Sequence, residues 1–487
     1  MYGTSTYRNI DWGRVVGFGF LALLSIFLAV FFGLASVVLP YFIAVALILV
    51  PATLLLAIFN VELALLISTA AIFGIIPIFL QPSLPIAGVV LRSGEMLLLM
   101  LGGLVFIKTL YRPTAIMQIL HPLRAPLIVL GVMYFIGVTY SVGIKHDALG
   151  LAETRNLVGW IALPVGIYAF RWHFARMDMY LQVFAVLVAL LLVAQTILGV
   201  RLIFADRSAE LISKEFSDVI RGSAGAANYL LGYTMYYALG RAAIARRKIW
   251  WIVSFNLLAL GLIVTFTRGA WFAAFAGLIT FFFMTRAHRK MMGALMMSAL
   301  FALIMAAGLL VAKPHLIGAV GERLFSVTEE GKSGSSVGYR LDENKQALQA
   351  IARNPIVGVG IGGEYKQHTG KHGMAVVEQG EFSYIHNSYL GLAVKLGLLA
   401  IFIPFWLYRN LWREWIRHRP ALYGRVEGLR LNLAAAMAAM SMYLVNNVSQ
   451  PEWLRLGGLV VVSLIIAMIL TSSKLIDLEN QTGVIPK

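Results

Sequence analysis

Residues 386–407 read HNSYLGLAVKLGLLAIFIPFWL: a short polar seam that opens into a long apolar run. An α-helix needs about 20 apolar residues to cross the hydrocarbon core of a bilayer, and this run supplies them. The run is continuously apolar, whereas a strand of a membrane barrel alternates from residue to residue. Similar runs occupy approximately 15–36, 40–59, 61–80, 95–110, 125–141, 157–170, 180–200, 226–240, 249–266, 270–285, 291–312, 431–447 and 456–473. The chain therefore reads as an all-α polytopic membrane protein of about 12–14 transmembrane helices.

Composition agrees. Of 487 residues, 60% are hydrophobic and 13% charged, and the mean hydropathy is +0.80. No soluble domain has this balance. Cysteine is absent, which excludes disulfides, thiolate chemistry and cysteine-ligated metals. The net charge of +17 is expected from basic residues that fix topology and meet anionic head groups, and no basic–aromatic module points to nucleic acid. The first dozen residues are polar and carry no cleavage pattern. The apolar stretch from Val15 is too long for a signal-peptide core and reads as a retained span.

Basic connections set the expected orientation. RAAIARRK (241–248), RAHRK (286–290), YRPTAIMQILHPLR (111–124) and the arginine-rich segment 408–430 fall on one side, which the positive-inside rule makes the cytoplasm. Both termini then face the cytoplasm. The domain reading is a first part of the bundle over 1–312, a loop over 313–385, a last part over 386–473 and a cytoplasmic tail over 474–487. The loop would lie outside the cell membrane. It contains the flexible stretch GKSGSSVG (331–338) and then RLDENKQALQAIARNP (340–355), whose Leu341, Ala347, Leu348 and Ile351 recur at helical spacing. Pro355 and the glycines of GVGIGG (358–363) end that helix. A loop of this length inside a compact bundle is usually functional.

Several polar residues are candidates for chemistry. Arg155, Arg221 and Arg268 sit near the outer ends of predicted spans, where positive charge is disfavoured. VTFTRGAWF (264–272) breaks an apolar run in a tight turn. Guanidinium groups hold phosphates in bidentate fashion and keep their charge; the plain alternative is snorkelling to the interface. His386 stands at the mouth of a span, where a neutral imidazole suits a general base for a sugar hydroxyl. Its plain alternative is a helix-start residue bonded to nearby backbone. Arg340 and Asn387 are secondary candidates. Lys395 lies in the same predicted span as His386, and at about 100° per residue it falls on the opposite face, as a structural partner of another polar group. No metal-ligand constellation or cofactor motif occurs. GVGIGG lacks the strand and the following Lys-Ser/Thr of a nucleotide loop.

TFTRGAW, RNPIVGVGIGGEY and HNSYLGLAVKLGLLA, in this order and spacing, resemble the O-antigen ligase and O-antigen polymerase superfamily. The ligase pattern is His, then Asn, Ser or Gln, nine residues, Gly, two residues, then Gly, Thr or Tyr. His386, Asn387 and Gly397 fit it, and Ala400 departs at the last position. The resemblance covers roughly 221–410. It implies a GT-C-like fold in the bacterial inner membrane and metal-independent glycosyl transfer on the periplasmic side. The implied donor is an undecaprenyl-diphosphate-linked glycan, with Arg221 and Arg268 on its diphosphate and His386 activating the acceptor hydroxyl. The acceptor is lipid A–core in a ligase of lipopolysaccharide biosynthesis, or a second lipid-linked glycan in a polymerase. Some polymerases place a glycine sixteen positions after external arginines. Arg201, Arg207, Arg221 and Arg323 meet Ser217, Ser223, Tyr237 and Tyr339 there, which leans towards ligase. A transporter or flippase is the rival of another class, but transporters favour repeated halves and midplane ionisable groups.

Overall fold

The computed structural model describes residues 58–76, 81, 83–86, 89–110, 114–146, 148–198, 225–285, 288–312, 336–365, 385–418 and 427–482. The predicted spans at 15–36 and 40–59 lie outside these but for the last two residues, as do Arg221 and most of the 313–385 loop. The described elements run α1 (Val61–Ile72), β1 (Ser83–Ile86), β2 (Val89–Arg92), α2 (Ser93–Leu110), α3 (Thr114–Leu120), α4 (Arg124–Val138), α5 (Ala148–Thr154) and α6 (Ala162–Leu198). They continue with α7 (Ala227–Ile244), α8 (Lys248–Ile263), α9 (Arg268–Thr285), α10 (His288–Ala312), α11 (Ser336–Arg353), α12 (Ser388–Leu396), α13 (Phe402–Arg417), α14 (Glu427–Asn446) and α15 (Leu456–Thr482). Among the described residues, seven helical stretches are long and apolar enough to cross a membrane, and α1 and α8 are shorter apolar helices. The chain is an all-α polytopic membrane protein with one small β-hairpin.

Two expected spans, 61–80 and 386–407, are corrected. The span expected over 61–80 begins under an Asn60 cap, whose side chain accepts from the Leu63 N–H at 3.0 Å, but stops at Ile72; Gly74 turns the chain with φ of 72°. Pro82 and Pro85 then disfavour helix, and residues 83–92 pair as an antiparallel hairpin with Ser83 opposite Arg92. The spans expected at 157–170 and 180–200 are two helices that meet at a kink at His173, where φ is −142° and ψ is 44°. The span expected over 386–407 is broken at Gly397, as described below.

Small residues set the packing, as they do wherever membrane helices approach closely. A β-carbon on Gly159 would come within 2.7 Å of Leu459, and one on Gly166 within 3.0 Å of Ala467, so the start of α6 runs parallel to α15. Helix α7 is antiparallel to α14: Tyr229 receives a hydrogen bond from Asn446 at 2.7 Å, while Gly240 packs on Leu431. Helix α9 is antiparallel to α14 as well, with Gly269 against Asn446 and Gly277 against Ala438. α14 and α15 are the centre of the bundle, with 78% and 94% of their apolar windows buried. The tyrosines of α7 are buried and bonded: Tyr233 donates to Asp178 at 2.7 Å and Tyr236 to the Ala274 carbonyl at 2.8 Å. By contrast Phe106, Phe135, Phe283 and Leu303 are exposed on helices suited to face lipid.

These pairings separate two ends of the bundle. At one end lie Gly240, Leu431 and Phe281 together, Asn410 bonded to the Pro122 carbonyl at 2.9 Å, and Arg417 on Asp477 at 2.8 Å. The basic connections adjoin this end. The other end gathers the start of α7, the turn before α9, the start of α12 and the turn between α14 and α15.

Candidate active site

The turn from Asn446 to Arg455, NNVSQPEWLR, organises the second end. Pro451 cannot continue α14, and Glu452–Leu454 forms a single 3-10 turn before α15. Ser388 is sewn onto it three times. Its N–H donates to the Asn447 carbonyl at 2.9 Å, its hydroxyl donates to the Gln450 carbonyl at 2.7 Å, and that hydroxyl accepts from the Trp453 N–H at 3.3 Å. The start of α12 is thereby fixed to the α14–α15 turn. Asn387 caps α12, accepting from the N–H groups of Tyr389 at 3.0 Å and Leu390 at 3.2 Å, which satisfies donors that open a helix.

Capping by Asn387 leaves His386 with a different partner. The His386 backbone N–H donates to Glu343 Oε2 at 2.9 Å, and Nδ1 lies 3.0 Å from the same oxygen. The Glu343 side chain is 1% exposed and that of His386 31%. Glu343 belongs to α11, in the segment expected to lie outside the membrane. That helix packs through Ala347, Ala350 and Ile351 against Ile385, Val359, Ala393 and Val394. The inward face is thus Glu343, Ala347, Ala350 and Ile351. Of the expected apolar stripe, Ala347 and Ile351 are buried, but Leu341 is 61% and Leu348 56% exposed. Arg340 stands one turn before Glu343 and is half-buried.

The start of α9, which carries Arg268, meets the same turn from the other side. The TFT turn before it is self-bonded: Thr265 donates to the Leu262 carbonyl at 2.7 Å, and the Ala270 N–H donates to the Thr267 carbonyl at 3.0 Å. Phe266 takes φ of 50°, unusual for a bulky side chain. Arg268 is then the first residue of α9. Its neighbour Gly269 packs so closely that a β-carbon would come within 2.6 Å of the Ser449 hydroxyl and 3.1 Å of Asn446 Oδ1. Arg221 lies outside the described residues, but the chain that follows it enters here too: a β-carbon on Gly457 would approach Ala226 within 3.3 Å. The 446–457 region is therefore shared by the start of α9, which carries Arg268, by the start of α12, which follows His386, and by Ala226.

Arg155 is at this end with its guanidinium engaged. It donates to the Val90 carbonyl at 2.7 Å and stands 3.7 Å from Glu95, while Asn156 donates to the Leu454 carbonyl at 3.0 Å. A cavity of about 140 Å³ lies among Gln81, Arg92, Glu95, Arg155 and Leu456. Arg155 thus ties the β-hairpin to the start of α2, and Asn156 meets the turn before α15.

Lys395 and the glycine stretch form a clamp beneath the site. Lys395, 2% exposed, pairs with Glu153 at 3.2 Å and donates to the Gly363 carbonyl at 3.0 Å; Glu153 also accepts from the Gly362 N–H at 2.8 Å. The Val359 N–H donates to the Val394 carbonyl at 2.7 Å and the Leu398 N–H to the Pro355 carbonyl at 2.8 Å. The glycines serve backbone-to-backbone approach. Gly358 has φ of 74°, and a β-carbon there would overlap the Val394 carbonyl.

Residues 253–405 match a family model described as O-antigen ligase. Over that segment the chain is similar to the O-antigen ligase/polymerase superfamily. The matched segment spans the Arg268 turn, α11, the glycine stretch, His386 and α12. A comparison with curated proteins finds no match.

Sequence reasoning missed Glu343 as a partner of His386, and passed over Glu452 and Arg455. Glu343 was legible as a loop acid only; its spacing of four from Ala347 and eight from Ile351 is the signal that places it on the inward face. Glu452 is 6% exposed. Burial raises its carboxyl above the ordinary range, and nearby Arg455 partly offsets that.

Proposed function

We propose that this end of the bundle transfers a glycan from undecaprenyl diphosphate to an acceptor hydroxyl. The observation that carries the reading is the shared 446–457 region, which links the helix start bearing Arg268 to the helix start preceded by His386. The family match over 253–405, which includes Arg268 and His386, supports it. The basic connections adjoin the opposite end, so the positive-inside rule puts the site on the periplasmic face of the inner membrane, with 313–385 as a periplasmic segment and both termini cytoplasmic.

In this mechanism the acceptor oxygen attacks the anomeric carbon and its proton passes to the His386 imidazole. The bond from that carbon to the diphosphate oxygen breaks, the electron pair leaves with undecaprenyl diphosphate, and the carbon inverts. Arg268 and Arg221 hold the diphosphate and stabilise the charge that develops there. Arg340 and Arg155 flank the site. No metal or cofactor enters the step.

The acceptor is lipid A–core, which makes the protein an O-antigen ligase; the sixteen-residue Arg–Gly spacing of some polymerases is absent from the external arginines. Purified protein given lipid-linked glycan and either lipid A–core or a second lipid-linked glycan tests both assignments. Extension of lipid A–core without any ion gradient is expected. Extension of the lipid-linked glycan alone would make the protein a polymerase, and transport with unchanged glycans would overturn the enzyme reading.

A further inference from the structure

The His386 contact with Glu343 has a second aspect, which rests on the transfer reaction proposed above. We infer that Glu343 is a positioning residue that selects the reactive tautomer of His386 and steadies the imidazolium formed when the acceptor proton arrives. Glu343 Oε2 is 2.9 Å from the His386 backbone nitrogen and 3.0 Å from Nδ1. A carboxylate oxygen accepts only, so the shared contact places a proton on Nδ1 and the lone pair on Nε2. A ring without this partner can exchange tautomers and turn, and its Nε2–H tautomer presents N–H to the acceptor hydroxyl.

The carboxylate is well placed for this. Its side chain is 1% exposed, so water competes little for the Nδ1–H. It is held on α11, and α11 is held by Ala347, Ala350 and Ile351 on the residues flanking α12. The same oxygen also fixes the His386 main chain, so ring and backbone are aligned by one atom. A consequence is that the 313–385 segment supplies part of the reaction centre through α11: docking of that helix and readiness of the base are one event. Positioning of an imidazole by a buried carboxylate is a general device, and its neutral amide replacement can impose the wrong tautomer.

The test compares Glu343→Gln, Glu343→Asp and His386→Ala in nanodiscs, with rates normalised to folded protein. Glutamine keeps a carbonyl that can accept from the His386 N–H, so the docking survives while the charge is lost. Glu343→Gln is expected to lower kcat about a hundredfold with the apparent KM for donor and acceptor little changed. Glu343→Asp retains the charge and is expected to keep more activity than Glu343→Gln. A purely structural anchor would give the reverse order, or would raise the apparent KM along with the loss of kcat. ¹⁵N NMR of histidine-labelled wild-type protein, with the His386 signals assigned by difference from His386→Ala, needs no folded Glu343 variant: Nδ1 should be protonated and Nε2 bare in the neutral ring. An Nε2–H tautomer overturns the inference. If His386→Ala abolishes transfer while Glu343→Gln is fully active, the inference fails and the transfer reading stands; if His386→Ala is fully active, that reading fails first.

Discussion

Replacing Gly397 with alanine isolates the contact that shapes the floor of the site. Gly397 ends α12 with φ of 94° and ψ of 164°, a region that is essentially glycine-only and costs other residues about 1–3 kcal/mol. A β-carbon there would also overlap the Ile356 carbonyl oxygen. Relief requires the 355–358 backbone to withdraw, which weakens the 2.8 Å bond from the Leu398 N–H to the Pro355 carbonyl at a cost of about 1 kcal/mol. The expected loss is about 2–4 kcal/mol. Gly103 and Gly131 are the controls, since a β-carbon on either meets nothing within 4 Å; alanine in those helices should be neutral or stabilising by up to ~1 kcal/mol. Thermal unfolding of purified protein in detergent reads the difference. If Gly397→Ala melts together with the Gly103→Ala and Gly131→Ala controls, the proposed backbone crossing is wrong.

Lys395→Met should destabilise by about 2–4 kcal/mol, because it strands Glu153 beside the glycine stretch, and a double-mutant cycle with Glu153→Gln should show a coupling of about 1–3 kcal/mol; simple additivity would dissolve the clamp. Glu452, raised by burial, binds its proton more tightly in the folded protein than in the unfolded chain, so its contribution is complete below the ordinary carboxylate range and is lost as pH rises through the raised value. Glu452→Gln should therefore flatten the fall of the melting temperature as pH rises above the ordinary carboxylate range, and an unchanged slope would show that another group is responsible. Arg268→Lys should reduce transfer by about a hundredfold, since an ammonium cannot reproduce the bidentate fork; wild-type rates would remove Arg268 from the diphosphate site. Transfer should continue in EDTA, and restoration by a divalent cation after chelation would contradict the metal-independent step.

The apolar runs located α8, α9, α10, α14 and the start of α15 to within a few residues, because lipid-length hydrophobic stretches carry their own signal. Local chemistry hid the rest. Gly397 sits inside an apolar run of ordinary appearance, and only the Ile356 carbonyl against it shows why the run must break. The hairpin at 83–92 is too short to stand out beside long spans, although Pro82 and Pro85 mark the place. Lys395 was legible as a buried charge in need of a partner, but Glu153 is 242 residues away in sequence. Glu343 and His386 are separated by 43 residues, and no periodicity reports a pairing across such a loop. The polar seam at 386–388 divides its work in a way that residue types alone leave open. Asn387 caps, Ser388 sews α12 to the next turn, and His386 is released to meet a carboxylate.

The initial rate of glycan transfer in proteoliposomes, with wild type and His386→Ala matched for folded protein and undecaprenyl diphosphate release followed alongside, tests the central claim most directly. The account predicts one diphosphate released per glycan transferred by wild type and a loss of at least about a hundredfold in the variant. Equal rates would contradict it.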